Sequence, residues 1–381
     1  MRSLYGSRNA ENEYVAITVG LDIGSDAVRA AVVETSKSGA VLRRFAEMPL
    51  PPGLVHAGDV IDEGAVTEVV AALWKRHRLP RKRVVVGIAN QRVIVRQVDV
   101  PHLEEDELAD ALPFQVQDAI PIPVEEAVLD FVPLEEYTTP EGDLMLSILV
   151  VAAQRDMVEG LVRIATNAGL SVLSIDLQAF GLVRAAFGSD LLVGGDGPQA
   201  LLDIGSSMSQ VVIVRGGITR FVRILPTGGE HFTETLMTGM SLSREDAEEL
   251  KRRVGVAPQG TPEGDDSSAI ARRILTRTAD ALIEEIRGSV NYYLTQAGEH
   301  TLDRLVVSGN GARLPHLANR VARSLNTRVE PVRVLDHLNV GRLQMTESEL
   351  LAYQPVLPAA VGLALWGSFI VPPSNRFAHV A

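Results

Sequence analysis

The fold class that the sequence predicts is α/β in two lobes with a duplicated plan, and three observations predict it. The text Leu21-Asp22-Ile23-Gly24-Ser25 returns about half a chain later as Leu202-Asp203-Ile204-Gly205-Ser206. Each copy follows an apolar run and leads into an alternating one, Ala27 to Glu34 and Met208 to Val214, so each reads as a β-hairpin with a carboxylate at its mouth. Around the hairpins, apolar strands alternate with stretches of helical spacing, as in domains that pack helices on a sheet. A length of 381 residues suits two domains of ordinary size.

Residues 1–14 read as a loose polar tail, and Val15 to Leu21 begins the first strand. Val66, Val69, Val70 and Leu73 share one face of a helix over 66–76, and Arg83 to Ile88 is a compact apolar strand. The pattern then changes. Arg92 to Val98 alternates as a strand ended by Pro101, and Glu104 to Gln117 is an acidic helix closed by Pro121 and Pro123. Ala127 to Leu134 and Leu144 to Ala152 follow as strands around a turn at Gly142. This β, α, β, β unit predicts an inserted subdomain, after which Gln154 to Ala168 is helix and Leu170 to Ile175 strand.

Gly194 to Pro198 reads as a linker by composition, and the second half repeats the plan. Strands are expected within 201–214 and 218–224, a turn at Gly228-Gly229, and helices from His231 to Leu236 and from Ser243 to Arg253. A polar, mobile loop spans Gly255 to Ser268, and Ile270 to Ala297 is one long helix. Leu305 to Ser308 is a strand from which Gly309-Asn310-Gly311 starts another helix, and the apolar run Leu357 to Val371 predicts a buried helix too short to cross a bilayer.

Composition narrows the chemistry. The chain has no cysteine, which excludes disulfides, thiolate metal sites and a cysteine nucleophile, and fits a reducing cytoplasm. Its net charge of −12 argues against a general nucleic-acid binder. The first 15 residues lack the apolar centre of a secretory signal. No Gly-Lys-Ser or Gly-Lys-Thr occurs, so a P-loop is absent, and the eight histidines form no metal-binding pair. Lys75, Arg76, Arg78, Arg81, Lys82 and Arg83 read as a solvated helix end and loop, with an anionic partner as the alternative.

The hairpin tips suit a nucleotide. A glycine lets the main chain approach an anion, and successive N–H groups beside serine hydroxyls form a nest for phosphate oxygens. An aspartate cannot face a phosphate unless Mg2+ and its waters lie between them. The plainer reading is an ordinary turn, since Asp, Gly and Ser are turn residues.

The two Asp-Ile-Gly-Ser hairpins, the turn Gly309-Asn310-Gly311-Ala312-Arg313 and the order of elements resemble the actin-like ATPase superfamily, over nearly all of the chain after residue 14. Within it, Val93 to Arg96, Val100-Pro101, Glu104 to Leu108 and Ala119 to Ile122 running to Asp130 resemble the insertion of the PilM family of type IV pilus assembly. FtsA proteins carry an insertion here too but end in an amphipathic membrane helix, whereas Ser374 to Ala381 offers only Phe377 and Val380 as sizeable apolar residues.

The resemblance implies a two-lobed, duplicated ribonuclease-H-like fold with an FtsA/PilM-type inserted subdomain. Lobe one would cover 15–90 and 156–195, interrupted by the insertion at 91–155. Lobe two would cover 196–228 and 301–358 around a subdomain at 229–300, and 359–381 would be a helix returning to lobe one plus a tail. It implies ATP and Mg2+ as cofactors. Asp22 and Asp203 would hold Mg2+ through waters, and Gly24, Ser25, Asp26, Gly205, Ser206 and Ser207 would hold the phosphates. Gly228, Gly229, Glu248, Lys251, Arg252, Gly309, Asn310, Gly311 and Arg313 would meet the rest of the nucleotide, with Glu248, Lys251 and Arg252 against ribose and adenine and Arg313 over the base. Glu248 and Arg252 are also spaced to pair with each other in water.

Gln178 stands where several relatives carry a glutamate near the attacking water, and an amide orients water without accepting its proton. Met208 and Gln210 depart from the threonine and aspartate of heat-shock chaperones, so at most slow ATPase activity is expected. The implied role is a cytoplasmic scaffold at the inner face of the membrane. It would bind the N-terminal tail of a PilN-like inner-membrane protein in a nucleotide-linked way, reach the membrane only through that partner, and possess a capacity for self-association. An FtsA-like polymer protein and a sugar or acetate kinase of the same superfamily are the alternatives. A dinucleotide site at Gly309-Asn310-Gly311 fails at Leu314, where a third glycine is needed.

Overall fold

The computed structural model describes residues 15–37, 39–188, 197–258 and 264–367. The predicted N-terminal tail, the glycines of the predicted linker at 194 and 195, and the end of the chain from 368 lie outside them. The first sheet is built on β1 (Val15–Ile23), which forms an antiparallel hairpin with β2 (Ala27–Ser36), and β3 (Gly39–Pro49) continues the meander. The middle of this hairpin is buried on both faces, which is why its apolar residues run on where a half-exposed strand would alternate. A small hairpin of β4 (Val55–His56) and β5 (Asp59–Val60) leads to α1 (Glu63–His77), capped by Asp62 accepting from Ala65 N at 2.9 Å. Helix α1 buries Val66, Val70, Leu73 and Trp74, with Val69 at the margin. β6 (Val84–Ile88) then lies parallel to β1 on the side away from β2.

The insertion forms its own sheet. β7 (Ile94–Pro101), α2 (Glu105–Val116), β8 (Ala127–Thr138) and β9 (Leu144–Gln154) follow in sequence, with the strands ordered β7-β9-β8. Strand alternation splits β9 between two cores. Leu146, Ile148, Val150 and Ala152 pack with Leu108, Leu112 and Val116 of α2, while Leu149, Val151 and Ala153 join the core of the first lobe. Strand β8 runs past the predicted Leu134 to Thr138, because cross-strand pairing with β9 continues through Leu144. After α3 (Arg155–Asn167), β10 (Val172–Leu177) lies parallel to β6 and passes directly into α4 (Gln178–Phe187).

The second lobe contains β11 (Gln199–Ile204), β12 (Ser209–Arg215) and β13 (Ile218–Leu225), then α5 (Gly229–Met240), α6 (Arg244–Val254) and α7 (Ser267–Gln296). β14 (Arg304–Ser308), α8 (Leu317–Leu325) and β15 (Val329–Pro331) complete it. Its sheet order, β13-β12-β11-β14-β15, matches β3-β2-β1-β6-β10 strand for strand, so the sequence repeat is a repeat of topology. The chain returns through β16 (Asn339–Val340), which pairs with β3, and ends its described course in α9 (Glu347–Tyr353) and α10 (Leu357–Ala364).

Helices α4 and α10 cross in backbone contact. A Cβ on Gly362 would fall 1.7 Å from Gly181 O, and one on Gly20 of β1 would fall 2.0 Å from Ala360 O. Only glycine allows two helices and a strand to approach so closely.

Three expectations need correction. Gly309 to Gly311 does not open a long helix: Gly311–Arg313 is a single 3-10 turn, Pro315 and the left-handed His316 (φ 67°) interrupt it, and α8 starts at Leu317. The run from Leu357 is buried, but α10 closes at Ala364, where the Trp366 N–H turns back to Leu363 O three residues before it and Gly367 takes a positive φ. The long helix begins earlier than predicted, at Ser267, because Asp266 caps it by accepting from Ala269 N. Residues 259–263 of the predicted mobile loop lie outside the described residues.

Candidate nucleotide site between the two hairpins

β1 and β11 end at equivalent tight turns, closed by Gly24 N donating to Ala27 O at 3.0 Å and Gly205 N to Met208 O at 2.8 Å. The strand register sets Asp22 opposite Arg29 and Asp203 opposite Gln210, so each carboxylate has one polar side chain across the hairpin. Arg29 is buried and spent on other groups: it bonds Asp26 at 2.7 Å and Glu47 at 2.6 Å. Asp22 accepts from Gln178 Nε2 at 2.6 Å, and Asp203 from Ser308 Oγ at 2.6 Å. Gln210 Nε2 in turn donates to Gln178 Oε1, which holds the Gln178 amide at both ends.

The electrostatics favour a cation. Burial pushes the carboxyl of Asp22 up to about 6, with Arg29 opposing and Asp203 and Asp26 reinforcing. Burial likewise pushes Asp203 up to about 6, against the Ser308 hydrogen bond and Arg29. One guanidinium, that of Arg29, therefore faces four carboxylates, those of Asp22, Asp26, Glu47 and Asp203. Asp26 differs: burial acts to raise it, but the hydrogen bonds from Arg29 and Asn310 and the charge of Arg29 together outweigh this and hold it below the usual carboxylate range. Among the described residues no group of three or more His, Cys, Asp or Glu is close enough to grasp a metal directly.

The hairpins meet across the lobes. Ser25 Oγ and Ser207 Oγ are hydrogen-bonded, Ala57 N donates to Ser207 Oγ at 3.1 Å, and Asn310 Nδ2 donates to Asp26 Oδ2 at 3.1 Å. Behind the second hairpin the main chain is stacked on itself. A Cβ on Gly228 would lie 2.4 Å from Ser206 O, and one on Gly309, at φ +87°, 2.2 Å from Ile204 O. Gly229 N bonds Gly205 O at 2.9 Å and Glu230 N bonds Ser206 O at 2.8 Å, which ties two glycine turns together, and the Gly309 turn packs against Ile204 to complete the cradle.

Outward from the hairpins opens a cleft of about 1130 Å³, lined by Ser25, Asp26, Gly205, Ser206, Gly229, Glu248, Lys251, Arg252, Asn310, Gly311 and Arg313 among others. An inner space of about 80 Å³ carries Asp22, Gly24, Gln178, Asp203, Ser207 and Gln210. The structure thus brings the sequence-predicted residues onto one continuous surface, Gly309 among those lining the inner space, apart from Gly228, which lies behind the cradle. Lys251 Nζ is tied to Gly229 O at 3.0 Å, Thr233 Oγ1 at 2.7 Å and Glu248 Oε1 at 2.6 Å. Glu248 also takes Arg252 at 3.4 Å, so the pairing expected from helix spacing exists alongside the Lys251 bond. Burial acts to raise Glu248, but the Lys251 and Thr233 hydrogen bonds prevail and hold it low. Arg313 is exposed and donates to Ala352 O, which fastens it to α9.

Sequence reasoning missed several members. The β4–β5 tip, Ala57-Gly58, reaches Ser207 from the first lobe, and fully buried Asn90 secures it by donating to Ala57 O at 3.2 Å. The turn text His56-Ala57-Gly58-Asp59 between valines was a hairpin signal in plain view. Ser308 and Tyr353 had no local signal, since only the fold brings them to the site.

Comparison with known proteins bears on the family and the fold. The family model for the type IV pilus assembly protein PilM matches residues 20–368. Cell division protein FtsA of Bacillus subtilis (strain 168) is 24% identical over 263 residues, 63% of this chain and 58% of FtsA. FtsA of Escherichia coli (strain K12) is 24% identical over 245 residues, 59% of this chain and 56% of its own length. The chain thus spans less than two thirds of these FtsA proteins. Among solved structures, a PilM-PilN type IV pilus biogenesis complex aligns with TM-score 0.79 and 27% identity over 92% of this chain and 98% of its own. MreB 5 of Spiroplasma citri, solved with AMPPNP, aligns over 92% and 94% with TM-score 0.52 and 12% identity, a likeness of fold. With the family model covering nearly the whole described chain and the duplicated sheets in place, the chain belongs to the type IV pilus assembly protein PilM family and has the actin-like ATPase fold.

Proposed function

We propose that this chain is an ATP-binding scaffold of type IV pilus assembly that receives the N-terminal cytoplasmic tail of a PilN-like inner-membrane protein, with nucleotide and tail binding linked. The observation that carries the reading is the pair of facing hairpins. Asp22, buried, and Asp203, half-buried, are each pushed up to about 6 with too little positive charge beside them, while serine hydroxyls and a glycine cradle surround them. That donor set fits Mg-ATP: the carboxylates would hold Mg2+ through its waters, and the backbones of Gly24 to Asp26 and Gly205 to Ser207 would meet the phosphates. Bound Mg2+ supplies neutralisation of the phosphate charge.

Gln178 would orient a water beside Asp22, but its carbonyl already accepts from Gln210 and an amide cannot take a proton, so slow turnover follows. The inter-lobe bonds at Ser25–Ser207 and Asp26–Asn310 lie where phosphates would enter, so nucleotide would alter how the lobes meet. A PilN-like tail is supported by the likeness to the PilM-PilN complex. We place its groove by the insertion, near α2 and Pro121 to Val124, where Phe114 is 77% exposed. No described helix is long and apolar enough to cross a membrane, and a place on the cytoplasmic side beside the membrane partner belongs to this same proposal.

The test is the affinity of a labelled Asn-Leu-Leu-Pro-type peptide from a PilN N-terminus, titrated with the protein with and without Mg-ATP. Specific binding that changes with Mg-ATP is expected. Absence of peptide binding in a sample that does bind ATP returns the function to an FtsA-like polymer or a small-molecule kinase.

A further inference from the structure

We propose that the basic end of the first lobe is a docking surface for an anionic membrane, with lipid headgroup phosphates as its ligands. This inference does not rest on the nucleotide or tail readings. From Val69 to Val98 the chain contains no Asp or Glu, and Lys75, Arg76, Arg78, Arg81, Lys82 and Arg83 stand close together in a chain of net charge −12. The fold gathers them at the end of α1 and the loop into β6, and all six are exposed. Arg44, also exposed, joins them from β3 by donating to the carbonyls of His77 and Arg78 at 2.8 Å. Arg81 is engaged in capping α3 through Ala168 O at 3.0 Å. Among the described residues, Lys75, Arg76, Arg78, Lys82 and Arg83 have no ion-pair partner.

The backbone helps to present the charges: Arg78 (φ 49°) is the left-handed cap that ends α1, its N–H on Trp74 O, and Arg83 (φ 56°) is left-handed just before β6, so both guanidinium groups sit on turns. Exposed apolar side chains stand on the strands that start at this end. Val15 (53%), Ile17 (44%) and Leu173 (37%) lie at the starts of β1 and β10, strands tied to this loop by Val19 N to Arg83 O at 3.1 Å and Ser171 N to Arg81 O at 2.7 Å. Cations interleaved with apolar residues suit the boundary between headgroups and acyl chains better than they suit an acidic peptide in water. The parallel strands β1, β6 and β10 begin at this end and finish at the Asp22 end, so a membrane held here leaves the cleft open.

The full chain is co-sedimented with vesicles of phosphatidylcholine alone and of an equal mixture with phosphatidylglycerol. Binding to the mixed vesicles only is expected, weakening as salt shortens the Debye length. The variant Lys75→Gln, Arg76→Gln, Arg78→Gly, Lys82→Gln, Arg83→Gly should bind at least about tenfold more weakly. Its thermal melting should be preserved, because glycine relieves the two left-handed positions. Should that variant fold poorly, the double variant Arg78→Gly, Arg83→Gly gives the same test with an intermediate loss. Equal binding to both vesicle types, no binding to either, or undiminished binding by a folded variant overturns the proposal. So does capture of polyglutamate by the basic residues without vesicle binding, which would assign the surface to an acidic protein.

Discussion

Gln178 is the residue where small chemistry has wide effect, since its amide joins Asp22 of the first lobe to Gln210 of the second. Truncation to alanine leaves Gln210 Nε2 and Asp22 Oδ1 without these partners, at a cost of about 1–3 kcal/mol in urea unfolding. Because the Gln178 hydrogen bond lowers the pKa of Asp22, the same change should move the pH at which Mg2+ begins to strengthen ATP binding upward. ATP affinity at pH 8 should stay nearly intact while turnover changes; a collapse of affinity there would make Gln178 a structural residue. Asp203→Ala separates metal from phosphate. Calorimetry should show Mg-ATP weakened at least about tenfold and Mg-free ATP little changed, in keeping with the strength of charge-assisted contacts. Equal loss for both would remove the metal role.

At the scale of elements, the crossing of α4, α10 and β1 decides how close the two lobes' connecting segments come. Gly362→Val would drive a branched side chain into the Gly181 backbone and should destabilise the protein by about 3 kcal/mol or more. Gly288 on α7 is the control, since a Cβ there meets nothing within 4 Å. Gly288→Ala should raise stability by about 1 kcal/mol through helix propensity alone. Urea midpoints of the two variants moving in opposite directions would establish that backbone approach, and not glycine content, is what the α4–α10 crossing requires.

For the whole molecule the Asp22–Asp203 carboxylate pair sets a pH dependence whose sign is fixed. Asp22 and Asp203 are raised from the ordinary 3.8 to about 6, so the folded protein keeps protons that the unfolded chain releases between those values. The resulting stability is complete below 3.8 and is lost as pH rises through about 6; a shift of this size is worth about 3 kcal/mol for either carboxyl taken alone, and the two titrate together. Asp26 and Glu248, held low by Arg29 and Lys251, act oppositely and lose their contribution only in stronger acid. Nucleotide-free protein should therefore melt higher at pH 5 than at pH 7.5, and Mg-ATP should remove the deficit at pH 7.5. Asp22→Asn should flatten the profile; a profile unchanged by that substitution would take the pair out of the account.

The sequence by itself determined the duplication, because an Asp-Ile-Gly-Ser turn between apolar strands is local chemistry and survives being read one segment at a time. It also determined the inserted β, α, β, β unit and the helices whose periodicity records a buried face, such as α1 and α7, though not α4 or α9. Helix ends were less legible where a cap or a glycine with positive φ decided them, as at Asp266 and Gly367. Only the tertiary structure decided that Arg29 is spent on Asp26 and Glu47, that Ser308 supports Asp203, and that Ala57 reaches Ser207. Those partners lie far apart in sequence, and nothing in their local pattern encodes the pairing. Burial, which raises the two aspartates, is likewise a property of the assembled lobes: a carboxylate that is ordinary in an isolated hairpin becomes a cation-seeking group once the second hairpin closes over it.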